Sequence, residues 1–397
     1  IITPPTITFD ETLTINGDNK IENTWYFQLD GTIDLLNDSQ LVQTKYSDLV
    51  TSANGKLKRR QEGASSKFWY NYWASPVGAL GATTLIDNNT NTNNANNTIF
   101  KVGTIKQPNG SNFEFTSAVH ETGKISKQWL YTYKNGVTYY DYAILSPNHS
   151  LQPGVGYTQK GTGISASEQQ YLFEGKPNNG TILINVTDSG GAGSVPAVSK
   201  TDYLLGNPYA SAIDLHEFID DNAGIIDGTI QLWQQWSGSS HILNEYNGGY
   251  AKVNKLGSTR AYQFVGIEGA TNGNQDGTKT PSRYLPVGQG FVTEIVNSGN
   301  VVFRNSQRVF VKEADADGTY ANGSVFMRTT ASSQSEDTSE STSEENSIQK
   351  LRLEFNSVDG PSTKRELLLG FSEETSDDYD YGYDAKNIEA FDDDLNL

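Results

Sequence analysis

Short runs of alternating apolar and polar residues fill the start of the chain. They lie at 12–15, 25–29 and 31–35, and Asn, Gly and Asp residues separate them. Short strands with such corners are typical of the rungs of a β-solenoid or of the edge of a small sandwich. We therefore predict a short β-solenoid-like or edge-strand segment over residues 1–55. If it is a solenoid, its first rung needs a preceding rung to cover it, which indicates a longer parent polypeptide.

Two landmarks recur in the rest of the chain. Residues 70–77 (YNYWASPV) have a weaker copy 136 positions later, at 206–212, and residues 153–157 (PGVGY) are matched by 287–291 (VGQGF). Two landmarks repeated in the same order indicate a duplicated unit, and we align Asn71 with Asn207. Strand-forming runs joined by Asn, Gly and Pro surround both copies. We predict two related β-sandwich units of jelly-roll type, at 56–195 and 196–327.

The end of the chain divides into a polar segment and a strand pair. Residues 328–349 are rich in Ser, Thr and Glu, and cannot bury enough apolar surface to offset the entropy of ordering, so a flexible acidic loop is predicted. Residues 350–397 begin with two strand-like runs that should complete the fold. One short helix is expected at 213–219, with Ser211 as its cap and Gly224 beyond its end. The predicted fold class is all-β.

Composition and charge narrow the classes of partner. The chain has no Cys, which excludes disulfides and thiolate chemistry. Its net charge of −18 disfavours nucleic acid and anionic membrane surfaces, and it has no apolar run long enough to span a bilayer. It also begins without a signal peptide. We therefore expect a processed piece of a longer secreted polypeptide, located outside the cell or on its outer surface.

The sequence gives little indication of catalytic groups. The four histidines show no metal-binding spacing, and no nucleophile elbow, P-loop or dinucleotide motif is present. Glu114, Glu121 and Asp141 lie in strand-rich segments and could serve glycoside cleavage, but an acidic surface supplies such carboxylates by chance. We predict no catalytic residue and no bound organic cofactor.

Calcium is the one candidate cofactor. Asp315 and Asp317 place side-chain oxygens at alternate positions before Gly318, which resembles the first half of a calcium loop, although Ser324 stands where a closing Glu is needed. A second acidic string places Asp378, Asp380 and Asp384 among tyrosines. These five aspartates are the candidate calcium ligands, and a merely solvated acidic surface is the alternative interpretation.

Five tryptophans suggest either a sugar-stacking platform or core filling: Trp69, Trp73, Trp129, Trp233 and Trp236. Flat sugar faces pack on indole rings. In the run 68–73, however, strand alternation makes both faces aromatic, so at least one face should be buried between sheets. Core filling is the favoured interpretation.

Several sequence segments resemble those of one family of proteins. They are residues 35–44 (LLNDSQLVQT), 55–63 (GKLKRRQEG), 70–77, 204–218 (LLGNPYASAIDLHEF), 285–291 and 365–386 (RELLLGFSEETSDDYDYGYDAK). As a set they resemble the large surface and secreted proteins that gliding, Bacteroidetes-type bacteria export by the type IX secretion system. The resemblance implies the region before a C-terminal sorting domain that the secretion machinery recognises. Members of that family range from adhesins to polysaccharide-degrading enzymes, so the resemblance does not select a function.

We therefore predict a non-enzymatic secreted or cell-surface module, an adhesin or stalk segment that presents neighbouring domains and binds surface glycans or proteins. The alternative is a carbohydrate-binding accessory region of a secreted polysaccharide-degrading enzyme. A polysaccharide-active enzyme is the third hypothesis.

The acidic loop generates a stability prediction. Replacing residues 331–347 with a short Gly/Ser turn should change the free energy of unfolding by less than about 1 kcal/mol, because the segment has almost nothing to bury and loop-closure entropy grows slowly with length. The midpoint of urea unfolding measures this. A large loss of stability would instead show that the acidic run is docked, through a metal or a partner.

Overall fold

A computed structural model describes residues 6–7, 11–83, 96–190, 201–263, 275–314, 322–328, 348–356 and 363–385. These residues are mostly β-strand with a single α-helix, which confirms the predicted all-β class. Residues 329–347 of the predicted acidic loop and the candidate calcium ligands Asp315 and Asp317 lie outside the described residues. The predicted bounds 328–349 are too wide, because Arg328 forms ion pairs in the interior and Gln349 begins a strand. No helix in the described ranges has the length and apolar character that a bilayer crossing requires.

The N-terminal segment is a three-faced parallel coil. Its strands are β1 (Thr6–Ile7), β2 (Thr12–Ile15), β3 (Lys20–Asn23), β4 (Tyr26–Leu29), β5 (Thr32–Leu35), β6 (Gln40–Gln43), β7 (Asp48–Thr51) and β8 (Lys56–Ala64). Three parallel ladders join β1 with β4 and β7, β2 with β5 and β8, and β3 with β6. Thr12 lies opposite Thr32 in the ladder of β2 and β5, and Lys20 lies opposite Gln40 in the ladder of β3 and β6. Each coil therefore lies on the next. Of the two predicted forms, this is the β-solenoid-like one.

Leucines and isoleucines that point inward fill the coil. Ile33, Leu35, Leu41 and Leu57 are completely buried. Because strand side chains alternate, the neighbouring polar residues point outward or form inner ladders. One such ladder joins Asn23 to a residue of the next coil, since its amide donates to Gln43 Oε1 at 2.7 Å.

Strand β8 joins the coil to the rest of the molecule. One edge of β8 is parallel to β5, with Leu57 opposite Ile33. Its other edge is antiparallel to β16 (Glu168–Pro177), with Leu57 opposite Gly175. The last coil of the solenoid is therefore also the first strand of the antiparallel part.

The first antiparallel unit has a four-stranded main sheet. The strands that follow β8 are β9 (Tyr70–Trp73), β10 (Val77–Gly78), β11 (Phe115–Thr116), β12 (Ile125–Ser126), β13 (Tyr131–Thr132), β14 (Ala143–Ile144), β15 (Tyr157–Lys160) and β16, with 3-10 turns at Val102–Thr104, Lys127–Trp129 and Tyr139–Asp141. The main sheet has the order β14-β13-β15-β9, and β16 forms a second sheet with β8 and β10. In addition, β11 and β12 form a short parallel pair.

The second antiparallel unit repeats this arrangement. Its elements are β17 (Ile182–Val186), β18 (Thr201–Gly206), β19 (Ala212–Asp214), α1 (Leu215–Asp221), β20 (Ile230–Ser237), β21 (Asn247–Val253), β22 (Ser258–Thr259), β23 (Tyr284–Leu285), β24 (Gly290–Ile295), β25 (Gly299–Phe303) and β26 (Arg308–Val309), with 3-10 turns at Leu243–Glu245 and Asn305–Gln307. Its main sheet has the order β22-β21-β20-β24-β18, and β17 pairs with β25 as β8 pairs with β16. The two units are therefore related, as the repeated landmarks predict.

The two units exchange contacts reciprocally at the landmarks. Trp73 of the first unit forms a bridge with Gln289 of the second, and Leu205 of the second forms the equivalent bridge with Val155 of the first. The backbone bonds are also matched. Ala74 N–H donates to the Gly288 carbonyl at 2.8 Å, and Gly206 N–H donates to the Gly154 carbonyl at 3.0 Å. The units thus meet across a local two-fold relation within one chain.

This relation corrects the sequence alignment by four residues. Trp73 lies opposite Tyr157, and Leu205 lies opposite Phe291, so Trp73 corresponds to Leu205. Asn207 therefore corresponds to Ser75, and the predicted equivalence of Asn71 with Asn207 is wrong. Short strings of Gly, Asn and Pro can be aligned at several offsets, and only the ladder hydrogen bonds select one of them.

The main sheets meet through an aromatic layer. Tyr72, Tyr133, Leu204, Trp233 and Val292 form a separate buried cluster between them. Three tyrosine hydroxyls, from Tyr72, Tyr142 and Tyr250, form a hydrogen-bonded triangle with O–O distances of 3.1 to 3.4 Å. A second, larger core extends from Phe27 in the coil to Met327 and includes residues of both units. Coil and units therefore share one interior.

The helix starts later than predicted. Helix α1 begins at Leu215, and its cap is Asp214, whose carboxylate accepts from His216 N–H at 3.0 Å. Ser211 cannot cap it, because its hydroxyl accepts from Arg308 Nε at 3.1 Å and the residues after it form β19. Gly224 follows the helix end with a φ of +80°, as expected of a glycine there.

The C-terminal strands form a hairpin. The strands β27 (Gln349–Asn356) and β28 (Lys364–Phe371) are antiparallel along their whole length. The hairpin lies against the edge of the second main sheet, where Arg352 Nη2 donates to the Ser258 carbonyl at 3.0 Å and Tyr262 donates to Glu366 at 2.9 Å. The predicted C-terminal strands thus complete the fold.

The crossing of the two units generates a prediction about two glycines. A Cβ at Gly156 would lie 2.5 Å from the Leu205 carbonyl oxygen, and one at Gly290 would lie 2.8 Å from Trp73 N. We expect Gly156→Ala and Gly290→Ala each to lower the free energy of unfolding by about 1–3 kcal/mol, because rigid backbone must move apart. Gly81→Ala is the control, since a Cβ there meets nothing within 4 Å. Equal unfolding midpoints in urea for all three variants would contradict this account of the crossing.

Candidate functional site at Lys160

A buried lysine lies where the two units meet. Lys160 is the last residue of β15 and faces Tyr70 across the ladder with β9. Only 2 % of its surface is exposed. Because the side chains of a strand alternate, Lys160 lies on the same face as Thr158 and Tyr72, toward the aromatic layer. The second unit covers this position with the segment between β20 and β21.

Three aromatic rings surround the Lys160 ammonium. Its Nζ lies 4.0 Å from the ring centre of Trp129, 4.6 Å from that of Tyr246 and 4.7 Å from that of Tyr70. Ring faces attract a cation, and each such contact contributes about 0.5–2 kcal/mol. We call Tyr70, Trp129, Tyr246 and His241, together with the ammonium, the Lys160 cage.

Neutral groups accept the hydrogen bonds of the ammonium. Lys160 Nζ donates to the Tyr246 hydroxyl at 2.8 Å and to His241 Nδ1 at 3.1 Å. The His241 ring is stacked on Trp129, with centres 4.7 Å apart and planes inclined by 10°. Trp129 and Tyr70 belong to the first unit, whereas His241 and Tyr246 belong to the second, so the cage exists only when the units are joined.

Burial perturbs the titration of the cage. It lowers the pKa of Lys160 from its ordinary value of 10.5 to about 7. Burial, followed by the nearby positive charges of Lys160, Lys67 and His120, lowers the pKa of His241 to about 4. His241 is therefore neutral at neutral pH, which agrees with Nδ1 as an acceptor. The pKa values of Tyr70 and Tyr246 are raised, mainly by burial.

Lys160 differs from Arg328, which is paired, and from Arg308 and Lys176, which lack an ion pair among the described residues but donate to the backbone carbonyls of Leu41 and Asn96. Arg328 donates to Glu168 at 2.6 Å and to Glu313 at 2.8 Å, so this network is neutralised internally. Within the described residues, no carboxylate lies within ion-pair distance of Lys160. Buried charges in proteins are normally paired, and a lone buried ammonium is a perturbed group of the kind found at functional sites.

Exposed tyrosines lie beside the cage. Tyr139 is half exposed, and Tyr140 is 91 % exposed. Their ring centres lie 5.9 Å apart in an edge-on arrangement. Tyr139 is close enough to the cage to raise the pKa values of Tyr70 and Tyr246 after the effect of burial. We call Trp129, Tyr139 and Tyr140 the aromatic rim.

The predicted calcium ligands in the C-terminal string take structural roles. Asp380 accepts hydrogen bonds from Ser376, including one from its hydroxyl at 3.2 Å, and Asp384 accepts from Asp380 N–H at 2.8 Å. Among the described residues, no three His, Asp or Glu side chains come together as a metal site. Calcium binding at Asp378, Asp380 and Asp384, or at Asp315 and Asp317, stays a prediction.

The candidate glycosidase carboxylates are engaged in local contacts. Glu114 and Glu121 both pair with Lys124, the former at 3.1 Å. Asp141 accepts from the N–H groups of Val137 and Thr138, at 2.8 Å each. These contacts stabilise turns of the first unit.

The five tryptophans divide between core and surface. Trp73 and Trp233 are buried in the two cores, so core filling is confirmed for them, and Trp236 packs partly against the larger core. Trp129 lies in the cage, and Trp69 donates to the Gly238 carbonyl at 2.9 Å. The sequence prediction named Trp129 but missed Lys160 and His241. A Tyr, Trp, Lys or His far apart in sequence carries no spacing signal, so only the fold identifies the set.

Comparison with known proteins places the chain in a family. The model of the family described as "Domain of unknown function (DUF8693)" matches residues 5–396, nearly the whole chain, so the chain belongs to this family. No curated protein and no solved structure matches the chain.

The lysine generates a pH-dependence prediction. In the unfolded chain the amine has its ordinary pKa, so between about pH 7 and pH 10.5 the unfolded state binds more protons and this site makes the protein more stable as pH rises. The difference between the free energies of unfolding of the wild type and of Lys160→Met should therefore increase with pH across this window. The increase should be at most about 1.4 kcal/mol per pH unit. Urea unfolding at several pH values measures the difference, with Lys67→Met as the control. A difference that is flat with pH would contradict the lowered pKa.

Proposed function

We propose that this member of the DUF8693 family is a non-enzymatic module of a secreted or cell-surface protein, an adhesin or stalk segment that presents neighbouring domains. The observation that carries the proposal is strand β8. It belongs to the parallel ladder of the solenoid and to the antiparallel ladder of the first unit. The short coil is thereby continued into the antiparallel units without a linker, as a presenting segment requires.

Further contacts strengthen this joint from the second unit. Gln40 Nε2, in the coil, donates to the Val311 carbonyl at 2.8 Å, and Ala212 N–H donates back to Gln40 Oε1 at 2.9 Å. Buried Arg308 donates to the Leu41 carbonyl and lies over the Tyr209 ring. Such a joint transmits force between the coil and both units, and this supports a mechanical role.

Export by the type IX secretion system is part of the proposal. It rests on the resemblance of the sequence segments described above to the surface proteins of Bacteroidetes-type bacteria. The secretion machinery would be the partner, through a C-terminal signal, and the protein would reside on the outer surface or in the medium.

The second candidate function is that of a carbohydrate-binding accessory region. The aromatic rim favours it, because exposed tyrosine and tryptophan rings are the surfaces on which sugar faces stack. This candidate is compatible with the first, since an adhesin can hold glycans.

Cellular experiments test the presenting role. An antibody against the chain should label intact cells that express the full-length gene, and deletion of this region should reduce their attachment to surfaces. The purified chain should release no reducing ends from plant and marine polysaccharides. Labelling only after lysis, or turnover of a polysaccharide, would refute the proposal.

A variant of the joint tests the mechanical continuity. Leu57 is completely buried where β8 leaves the coil, whereas Leu183 on β17 is 45 % exposed. We expect Leu57→Ala to lower the free energy of unfolding by about 2–5 kcal/mol while calorimetry still shows one transition, because coil and units share a core. Leu183→Ala should change it by less than about 0.5 kcal/mol. Separate transitions for the coil and the units would show that the joint is not continuous.

A further inference from the structure

The buried ammonium of Lys160 lacks a compensating anion. Its hydrogen-bond acceptors are a phenol and an imidazole, and its other neighbours are ring faces. None of the described carboxylates lies within ion-pair distance of Nζ. Burial favours the neutral amine, and a carboxylate that reached Nζ would stabilise the protonated form of Lys160.

A second lysine contributes positive charge near the cage. Lys67 acts on His241 as a like charge, in addition to Lys160. Burial lowers the pKa of His120, so that ring is neutral at neutral pH. Glu121 acts on His120 as an opposite charge, and it pairs with Lys124. A basic spot is thus present on a chain whose net charge is −18. This local excess favours an anionic ligand over a cationic one.

The rings select the shape of that ligand. Trp129 of the aromatic rim lies 4.0 Å from Nζ, and Tyr140, which contacts Tyr139, is almost wholly exposed. Flat apolar ring surfaces next to a charge suit a molecule that has a CH-rich face and an acidic group on the same unit. An extended acidic peptide offers the charge without the flat face.

We infer that the Lys160 cage binds an anionic sugar residue, a uronic acid unit of a polysaccharide, with its carboxylate on the Lys160 ammonium and its ring on the aromatic rim. This inference deepens the carbohydrate-binding candidate above and rests on it. It names the ligand class and the residues that select it.

Binding requires one local rearrangement. The stacked Trp129 and His241 rings cover the ammonium, and His241 holds it through Nδ1 at 3.1 Å. The incoming carboxylate replaces His241 as the acceptor, while Tyr246 keeps its hydrogen bond. Exchanging a neutral acceptor for a charged one strengthens the bond to the ammonium.

Titration calorimetry of the wild-type chain with three short probes tests the inference without any variant. Tetragalacturonate should bind, and its fully methyl-esterified form, which keeps the rings but lacks the charge, should bind at least about tenfold more weakly. A tetraglutamate peptide should also bind at least about tenfold more weakly, because it lacks the flat faces. Short probes are chosen because the overall negative charge repels long polyanions.

Paired variants locate the site. Lys160→Met and Trp129→Ala should each weaken tetragalacturonate binding at least about tenfold. The first variant removes the ammonium that binds the carboxylate, and the second removes a ring on which the sugar stacks. The controls are Lys255→Met, which removes a lysine paired with Asp220, and Trp25→Ala, which removes an exposed tryptophan of the coil. Both should bind within about twofold of wild type. Near-ultraviolet circular dichroism verifies that each variant is folded.

Three results would overturn the inference: equal affinity for the acid and its methyl ester, equal affinity for tetraglutamate, or no heat with tetragalacturonate at millimolar concentration. If Lys160→Met does not fold, the acid and ester comparison still decides. Cell-surface labelling does not depend on any of these titrations, so failure of the sugar site and failure of the presenting role are distinguishable.

Discussion

The close approach of two backbone segments, at Gly156 and Gly290, organises the second part of this molecule. Neither position has room for a Cβ, and each strand lies directly against the landmark strand of the other unit. Because the bonds across this crossing are reciprocal, the two main sheets face each other and enclose the tyrosine layer. The crossing also brings the segment that carries His241 and Tyr246 over β15. The Lys160 cage is therefore a consequence of the same contact that joins the units.

The first part of the molecule depends on a change of strand direction at β8. A solenoid has an open end whose unpaired strand edges would bind other chains, and proteins usually cover such ends. Here the strand edge of the last coil is used as the first edge of an antiparallel sheet, with Leu57 buried at the transition. The cover is thus continuous with the coil, and Gln40 and Arg308 add contacts from the second unit. This continuous connection between the coil and the units suits the chain to a presenting role.

The buried charges of this chain are compensated in different ways. Arg308 has no ion pair among the described residues, and it donates to the Leu41 carbonyl and lies over the Tyr209 ring. Arg328 and its two glutamates neutralise one another, which stabilises the fold and leaves nothing for a ligand. Lys160 is held by rings and neutral acceptors instead, which lowers its pKa to about 7 and keeps it at the junction of the two units. Stability alone would be served better by an apolar residue at this position. The acceptors of Lys160 are side chains that only the joined units bring to it, and this is the reason to regard the cage as functional.

The sequence by itself determined the all-β class and indicated a duplicated unit, because alternation, turn residues and repeated landmarks are local properties of the chain. For the N-terminal segment it left a coil and edge strands as alternatives, and the parallel ladders decided for the coil. It also favoured burial of Trp73, since both faces of that strand are aromatic. The tertiary structure decided the register of the repeat, where Asn207 corresponds to Ser75, and the cap of the helix, where Arg308 occupies Ser211 and Asp214 replaces it. It alone assembled the Lys160 cage, whose five members come from four distant parts of the chain. Hydrogen-bond ladders and long-range packing bring such residues together, and neither can be recognised from the spacing of the residues along the chain.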